Sequence, residues 1–239
     1  MAGWRYELGP QKLRELSVAL GQNPDRENVP AAAVFMYALQ PALGAILVDP
    51  AVAGRRASLA LTSVAARWHE QPSVGVELEA EIEVEVSPTG RVVGRAACLS
   101  EGRSICEVEI ALDDPSVEPG LPREPQEGQA RLRIDGARAL AFAAATWDLA
   151  PVYWDRDFAA AVGLDGPIAP PGLVAAWLAN LVETRAGRVL TELDVRFQRT
   201  PRVGEEAVAY LAGVDPVIGS VWSKGLPAVS GTFLTAPVR

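Results

Sequence analysis

Two stretches decide the fold: Arg67-Trp-His-Glu-Gln-Pro-Ser-Val-Gly-Val-Glu77 and Arg196-Phe-Gln-Arg-Thr-Pro-Arg-Val-Gly-Glu-Glu206. Both read Arg-aromatic-x-x-x-Pro-x-Val-Gly-x-Glu, and residue 196 stands 129 positions after residue 67. A second echo follows in the same order: Ser100-Glu-Gly102 and Ser223-Lys-Gly225 are 123 positions apart, each ahead of an alternating run. Two echoes at nearly one offset imply a duplicated unit of roughly 120 residues, an ordinary domain size. Between the copies, Asp113 to Gly128 holds Pro115, Pro119, Pro122 and Pro125 with five acidic residues, the composition of an extended linker. The predicted organisation is an N-terminal unit over residues 1–120 and a C-terminal unit over residues 121–239.

Each copy shows the same coarse order of elements. Glu77 to Val86 alternates polar with apolar, the period of a half-buried strand. Arg91 to Leu99 and Ser104 to Leu112 read as two further strands, turning at Pro88-Thr-Gly90 and at Glu101-Gly102. Ahead of this meander an apolar helix is predicted over Ala31 to Leu47. In the second copy Pro171 opens a helix with Leu173, Trp177 and Leu181 on one face, and Gly187 closes it. A long apolar helix followed by a curled antiparallel sheet, twice over, predicts the α+β class and a double hot-dog fold. The sheet of each unit wraps its helix, which is why the helix is apolar nearly all round. Two unrelated α+β domains are the simpler alternative, and the shared motif argues against them.

Composition narrows the function classes. The chain has 239 residues, 49% hydrophobic and 22% charged, with a net charge of −8 and only Lys12 and Lys224 as lysines. An acidic surface repels phosphate backbones, so no nucleic-acid partner is expected. Cys98 and Cys106 fall in strand-like runs and read as reduced core residues. His69 is the single histidine, so no His-rich metal site and no metal cofactor are expected. Val29 to Val48 is uncharged for twenty residues, long enough to span a bilayer, but Pro30, Pro41 and Gln40 interrupt it. A buried core helix is the preferred reading, with no membrane association. No basic start, apolar core and cleavage site form a signal peptide at the N-terminus, and a cytoplasmic protein is expected.

One stretch points to a family. Trp147-Asp148-Leu-Ala-Pro151-Val-Tyr153-Trp154-Asp155 leads into Arg156-Asp157-Phe158-Ala159 and then Gly166-Pro-Ile-Ala-Pro-Pro-Gly172. It resembles the MaoC-like dehydratase/hydratase family, whose members carry Gly-Asp-x-Asn-Pro-(Ile/Leu)-His-x-Asp, a short Ala-rich helix, and Gly-Pro-Ile-Ala before the central helix. Val195-Arg196-Phe197 and Pro201-x-Val-Gly204 match the strand and turn that follow there. The resemblance implies an enzyme acting on an enoyl or 3-hydroxyacyl thioester of coenzyme A or acyl carrier protein, with no cofactor.

The same resemblance implies the site. Asp148 stands at the family's Asp position as a base or water-orienting carboxylate; an N-cap is the plainer alternative. Tyr153 stands where the family has its catalytic His, and Ala150 where it has Asn. A phenol, with a pKa of about 10, is a fair donor and a poor base, so Tyr153 reads either as an acid or oxyanion donor or as a ring filling a lost His pocket. Trp147 is expected beside the substrate. Pro170-Pro171 replaces a His-Gly whose N–H polarises the thioester carbonyl, which leaves Gly172, next to Pro171, to offer that N–H. Ala31, Ala32 and Ala33 would leave space for an acyl chain in a first unit that lacks the Asp/Tyr stretch. Asp155 and Asp157 read as helix caps, and His69 as an edge residue. The Glu77-Glu79-Glu81-Glu83-Glu85 ladder reads as a solvated face that also protects against edge pairing.

The expected function is hydration, dehydration or isomerisation of an unsaturated acyl group. The alternatives are a repurposed cyclase of polyketide-type bacterial metabolism and a non-catalytic subunit of a hetero-oligomeric hydratase. A double hot-dog already contains the usual pair of units, so a monomer or a homodimer is expected.

Overall fold

The computed structural model describes residues 2–22, 29–52, 54, 59–113 and 128–237. The first half runs β1 (Ala2–Glu7), α1 (Pro10–Ala19), a 3-10 turn (Ala31–Ala33), α2 (Val34–Tyr37), α3 (Leu39–Val48), β2 (Ala60–Trp68), β3 (Glu77–Val86), β4 (Val92–Ser100) and β5 (Arg103–Asp113). The second runs β6 (Ala130–Arg133), α4 (Gly136–Thr146), a 3-10 turn (Pro151–Tyr153), α5 (Arg156–Ala161), α6 (Pro171–Ala186), β7 (Val189–Phe197), β8 (Glu206–Ala212), β9 (Val217–Ser223) and β10 (Leu226–Ala236). The proline-rich stretch between them and the 120/121 boundary lie outside the described residues.

All ten strands form one sheet in the order β1-β3-β4-β5-β2-β7-β10-β9-β8-β6. Read outward from its centre, each half has the same permutation, so the sheet is two copies of one five-stranded unit joined edge to edge. β2 and β7 make the seam, antiparallel, from Ser63↔Arg196 to Arg67↔Glu192. Ala65 faces Asp194, 129 positions later, which is also the offset of the repeated motif. A pseudo-twofold axis therefore passes through that pair. This is the double hot-dog fold, α+β in class.

The repeated motifs are the repeated turns. Glu101 and Gly102 have φ of 50° and 75°, and Lys224 and Gly225 have 51° and 72°, so β4–β5 and β9–β10 are joined by the same two-residue left-handed loop. That twist suits a hairpin. The motif glycines Gly75 and Gly204 also have positive φ, 82° and 96°, which explains why the spelling persists in both copies.

Each half curls its sheet around a helix. α3 packs on β3, β4 and β5, and α6 packs on β7 to β10. Contact is close at a glycine in each middle strand: a Cβ on Gly94 would meet Ile46 at 2.9 Å, and one on Gly219 would meet Leu178 at 3.1 Å. Val174 to Ala179 of α6 are at most 4% exposed, as a helix apolar on all sides requires.

The first central helix departs from expectation. It is a 3-10 turn and two helices broken at Ala38 (φ −120°) rather than one helix over residues 31–47. Pro41 is the cause. Its ring would strike the carbonyl of Tyr37 within a continuous helix, whereas restarting at Leu39 puts it in the first turn, where no N–H is needed. The segment Ala31–Val48 is 67% buried inside the protein. Each half also opens with a strand and a helix that the sequence pattern did not suggest, and the two helices, α1 and α4, pack against each other.

Smaller expectations resolve similarly. Cys98 and Cys106 are free, buried thiols facing each other across β4 and β5, and burial pushes Cys98 up to about 12. Nearby, the Trp68 indole donates to the buried Tyr37 hydroxyl at 3.0 Å. His69 is exposed and sits 3.2 Å from Glu107. The glutamate ladder is solvated, with Arg5 on Glu79 and Arg95 on Glu85, but it guards no edge. β3 lies between β1 and β4, and β1 takes the edge instead.

The turn after β7 is held by a buried carboxylate. Glu205, with its side chain 3% exposed, accepts from Arg199 through both oxygens, from Ser223 at 2.7 Å, and lies 3.2 Å from Lys224. Burial alone would raise its pKa; the hydrogen bonds of Ser223, Lys224 and the backbone, with the charge of Arg199, outweigh that and lower it. Glu205→Ala should cost about 2–4 kcal/mol in urea unfolding, because it strands Arg199. Glu206→Ala, which loses only an exposed pair with Arg131, should cost under about 1 kcal/mol. Because the folded pKa of Glu205 is depressed, its contribution should be complete above the ordinary carboxylate range and disappear as pH falls through the lowered value.

Candidate active site

The site is assembled at the end of α4. Asp135 caps that helix by accepting from the Arg138 N–H at 2.8 Å, and Thr146 Oγ1 donates back to the Phe142 carbonyl at 2.8 Å. Trp147 ends the helix at φ 60°, a left-handed conformation uncommon for a bulky residue. The chain then reverses, and Pro151 opens the 3-10 turn that carries Tyr153.

The reversal brings Asp148 and Tyr153 together. Tyr153 Oη donates to Asp148 Oδ2 at 2.7 Å, and the ring is 7% exposed. Asp148 Oδ1 has no hydrogen-bond partner among the described residues. Burial raises the Asp148 pKa, and the Tyr153 hydrogen bond opposes it only in part. The phenol is pushed far above its ordinary value, first by burial and then by the adjacent carboxylate. Asp148 is thus not an N-cap, and Tyr153 is a fixed donor to it. Chemically the pair offers one carboxylate of enhanced basicity with one oxygen available.

Three ties place the start of α6 in the same corner. The Ile168 N–H donates to the Val152 carbonyl at 3.1 Å, the Ala169 N–H donates to the Pro201 carbonyl at 2.8 Å, and Ile168 bridges to Arg202. Pro171 is the first residue of α6, and Gly172 is the second, where an N–H has no acceptor within the helix. The rings of Phe142 and Phe35 press on Gly172.

The remaining expected residues fall elsewhere. Trp147 is 62% exposed, and the Lys12 ammonium lies 5.3 Å from its ring centroid. Ala33 is fully buried in the 3-10 turn packed on α6. Asp155 caps α5, accepting from the Asp157 and Phe158 N–H groups, and Asp157 sits in its first turn.

Residues 118–221 match the family model described as a MaoC like domain. The matched stretch, most of the second half, is similar to a MaoC-like domain. Solved structures share the fold over the whole length. HtdX of Mycobacterium tuberculosis is 16% identical, with 98% of this chain and 100% of that one covered, at a TM-score of 0.78. A MaoC-like dehydratase from Phytophthora capsici is 12% identical, with 100% and 96% covered, at 0.76. The peroxisomal multifunctional enzyme type 2 of Drosophila melanogaster is 13% identical, with 98% of this chain and 48% of that one covered, at 0.73. At such identities the likeness is one of fold. No curated protein sequence matches the chain.

A groove of about 830 Å³ lies on the outer face of the sheet, over β2, β3, β4, β5, β7 and β10, apart from the Asp148–Tyr153 pair. Glu81, Glu83, Glu107, Glu109, Glu192 and Asp194 line it against Arg67 and Arg95 alone, so its field repels anions. A phosphorylated carrier has no electrostatic reason to bind there.

Sequence reasoning did not single out Glu183. This buried carboxylate on α6 accepts from the Ala31 and Leu190 N–H groups, each at 3.2 Å, and ties the first half's 3-10 turn to the MaoC-like domain. The single glutamate of a largely apolar helix was the available signal. The rings over Gly172 left none.

Two outcomes are expected. Tyr153→Phe removes the interaction that lowers the Asp148 pKa, so it should rise further and the acidic limb of the pH–rate profile should move to higher pH. Asp148→Asn should be more stable than the wild type at pH 8 in thermal melts. The folded pKa of Asp148 is above its unfolded value of about 3.9, so its ionisation opposes folding once pH exceeds that range, and the gain should vanish near pH 3.

Proposed function

We propose that this protein adds water across, or removes it from, the double bond of an acyl thioester of coenzyme A or acyl carrier protein. The hydrogen-bonded Asp148–Tyr153 pair, in the stretch that resembles the family's Asp/His motif, carries this reading. In hydration, Asp148 takes a proton from water through Oδ1 as the water oxygen bonds to C3. The C2=C3 electron pair moves toward the thioester carbonyl, whose developing negative charge meets the Gly172 N–H at the helix start. The protonated Asp148 then delivers its proton to C2, and the carboxylate is restored. Tyr153 stays neutral throughout and holds Oδ2, so Oδ1 faces the water. One carboxylate does the work usually divided between Asp and His, and its raised pKa suits it to both proton transfers.

The test is turnover of a panel of 2-enoyl thioesters by the purified protein, followed by loss of enoyl absorbance and by release of free thiol. Hydration with Asp148→Asn reduced at least about 100-fold is expected. Thiol release without hydration would reassign the pair to thioester hydrolysis. Silence of the wild type with activity gained by Tyr153→His would point to changed chemistry, such as cyclisation. Activity appearing only with a second hot-dog protein would make this chain a subunit.

A further inference from the structure

The rings that meet at the start of α6 restrict what can lie there. A Cβ placed on Gly172 would stand 3.3 Å from both Cε1 and Cζ of Phe142 and 3.3 Å from Cδ1 of Phe35. Phe142 belongs to α4, which ends in the Asp148 motif, whereas Phe35 belongs to α2 in the other half of the chain. Each ring is 1% exposed, and their neighbours Val34 and Leu173 are fully buried. Side chains packed to this density cannot admit a row of methylenes unless a ring moves.

The small residues before Phe35 act differently from what their size suggests. Ala31, Ala32 and Ala33 are at most 1% exposed, and the 3-10 turn they form lies directly on α6. Glu183 fixes the turn by accepting from the Ala31 N–H. The alanines therefore allow close approach of the two halves, and that approach drives Phe35 against Gly172.

We propose that Phe35 and Phe142 are specificity-determining residues that limit the substrate to a short acyl group, of about four carbons, by filling the space a longer chain would occupy past α6. The inference rests on the reading that the thioester carbonyl meets the Gly172 N–H while Asp148 acts on C2 and C3. A carbonyl oxygen within about 3 Å of that N–H places the acyl chain beside the Gly172 α-carbon, where the rings stand. Removing either ring deletes six carbon atoms and opens room for about four more carbons of chain.

The experiment measures kcat/KM for 2-enoyl-coenzyme A substrates of four, eight and twelve carbons with the wild type, Phe35→Ala and Phe142→Ala. The milder Phe35→Leu and Phe142→Leu stand in should an alanine variant fail to melt cooperatively. The wild type should lose at least about tenfold from four to eight carbons. The eight-to-four ratio should rise about tenfold in the alanine variants, mainly through KM, and less in the leucine ones. A ratio compares two substrates on one protein, so a merely destabilised variant leaves it unchanged. Two results overturn the proposal while leaving the hydratase reading intact: equal use of all three lengths by the wild type, or ratios unmoved in folded variants. Absence of turnover at every length, four carbons included, removes the hydratase reading and this inference with it.

Discussion

The β2–β7 ladder is the contact on which the architecture depends. From Ser63↔Arg196 to Arg67↔Glu192 it converts two five-stranded sheets into one, and it satisfies backbone groups that would otherwise form two exposed edges. Antiparallel pairing about an axis through Ala65 and Asp194 also sets what meets across the interior. The segment Ala31–Tyr37 of one half is brought onto α6 of the other, and Glu183 accepts from a backbone N–H of the opposite half. The start of α6, in the same corner as the candidate site, is therefore built from both halves, although the Asp148–Tyr153 pair comes from one.

Electrostatics sets apart two carboxylates, the buried Glu205 and the half-buried Asp148. Glu205 is surrounded by Arg199, Lys224 and Ser223, so its charge is welcome and its pKa falls. Asp148 has a single phenol for company, so its charge is poorly compensated and its pKa rises. The same chemical group carries its charge readily in one place and at a cost in the other. Burial is common to both; the count of donors and cations decides the sign. Trp147 adds a second local cost beside Asp148, a bulky residue in a left-handed conformation. Such costs concentrate where chemistry is done.

Much of this was legible in the sequence for identifiable reasons. The repeat could be seen because both copies need the same left-handed turns, and few spellings satisfy them. β3 could be seen because one face is wet, so its residues alternate along the whole of Glu77–Val86. β1, β6, α1 and α4 could not, being short elements whose stability comes from packing. The break at Ala38 follows from Pro41, yet the apolar run masks it. Asp148 and Tyr153 were found through their motif, but the direction of their hydrogen bond depends on the reversal at Trp147. Phe35 and Gly172 touch across most of the chain, and no local pattern announces such a meeting.

Covalent joining of the two halves has a consequence for stoichiometry. Two identical chains assembled about a true twofold axis would hold two equivalent sites, and loss of one would leave the other working. Here the axis is only approximate, and the Asp148–Tyr153 pair has no counterpart among the described residues of the first half. The described residues of each polypeptide then hold one such pair. Among the described residues there is no second copy of it, so the approximate twofold relates two folds but not two carboxylate–phenol pairs.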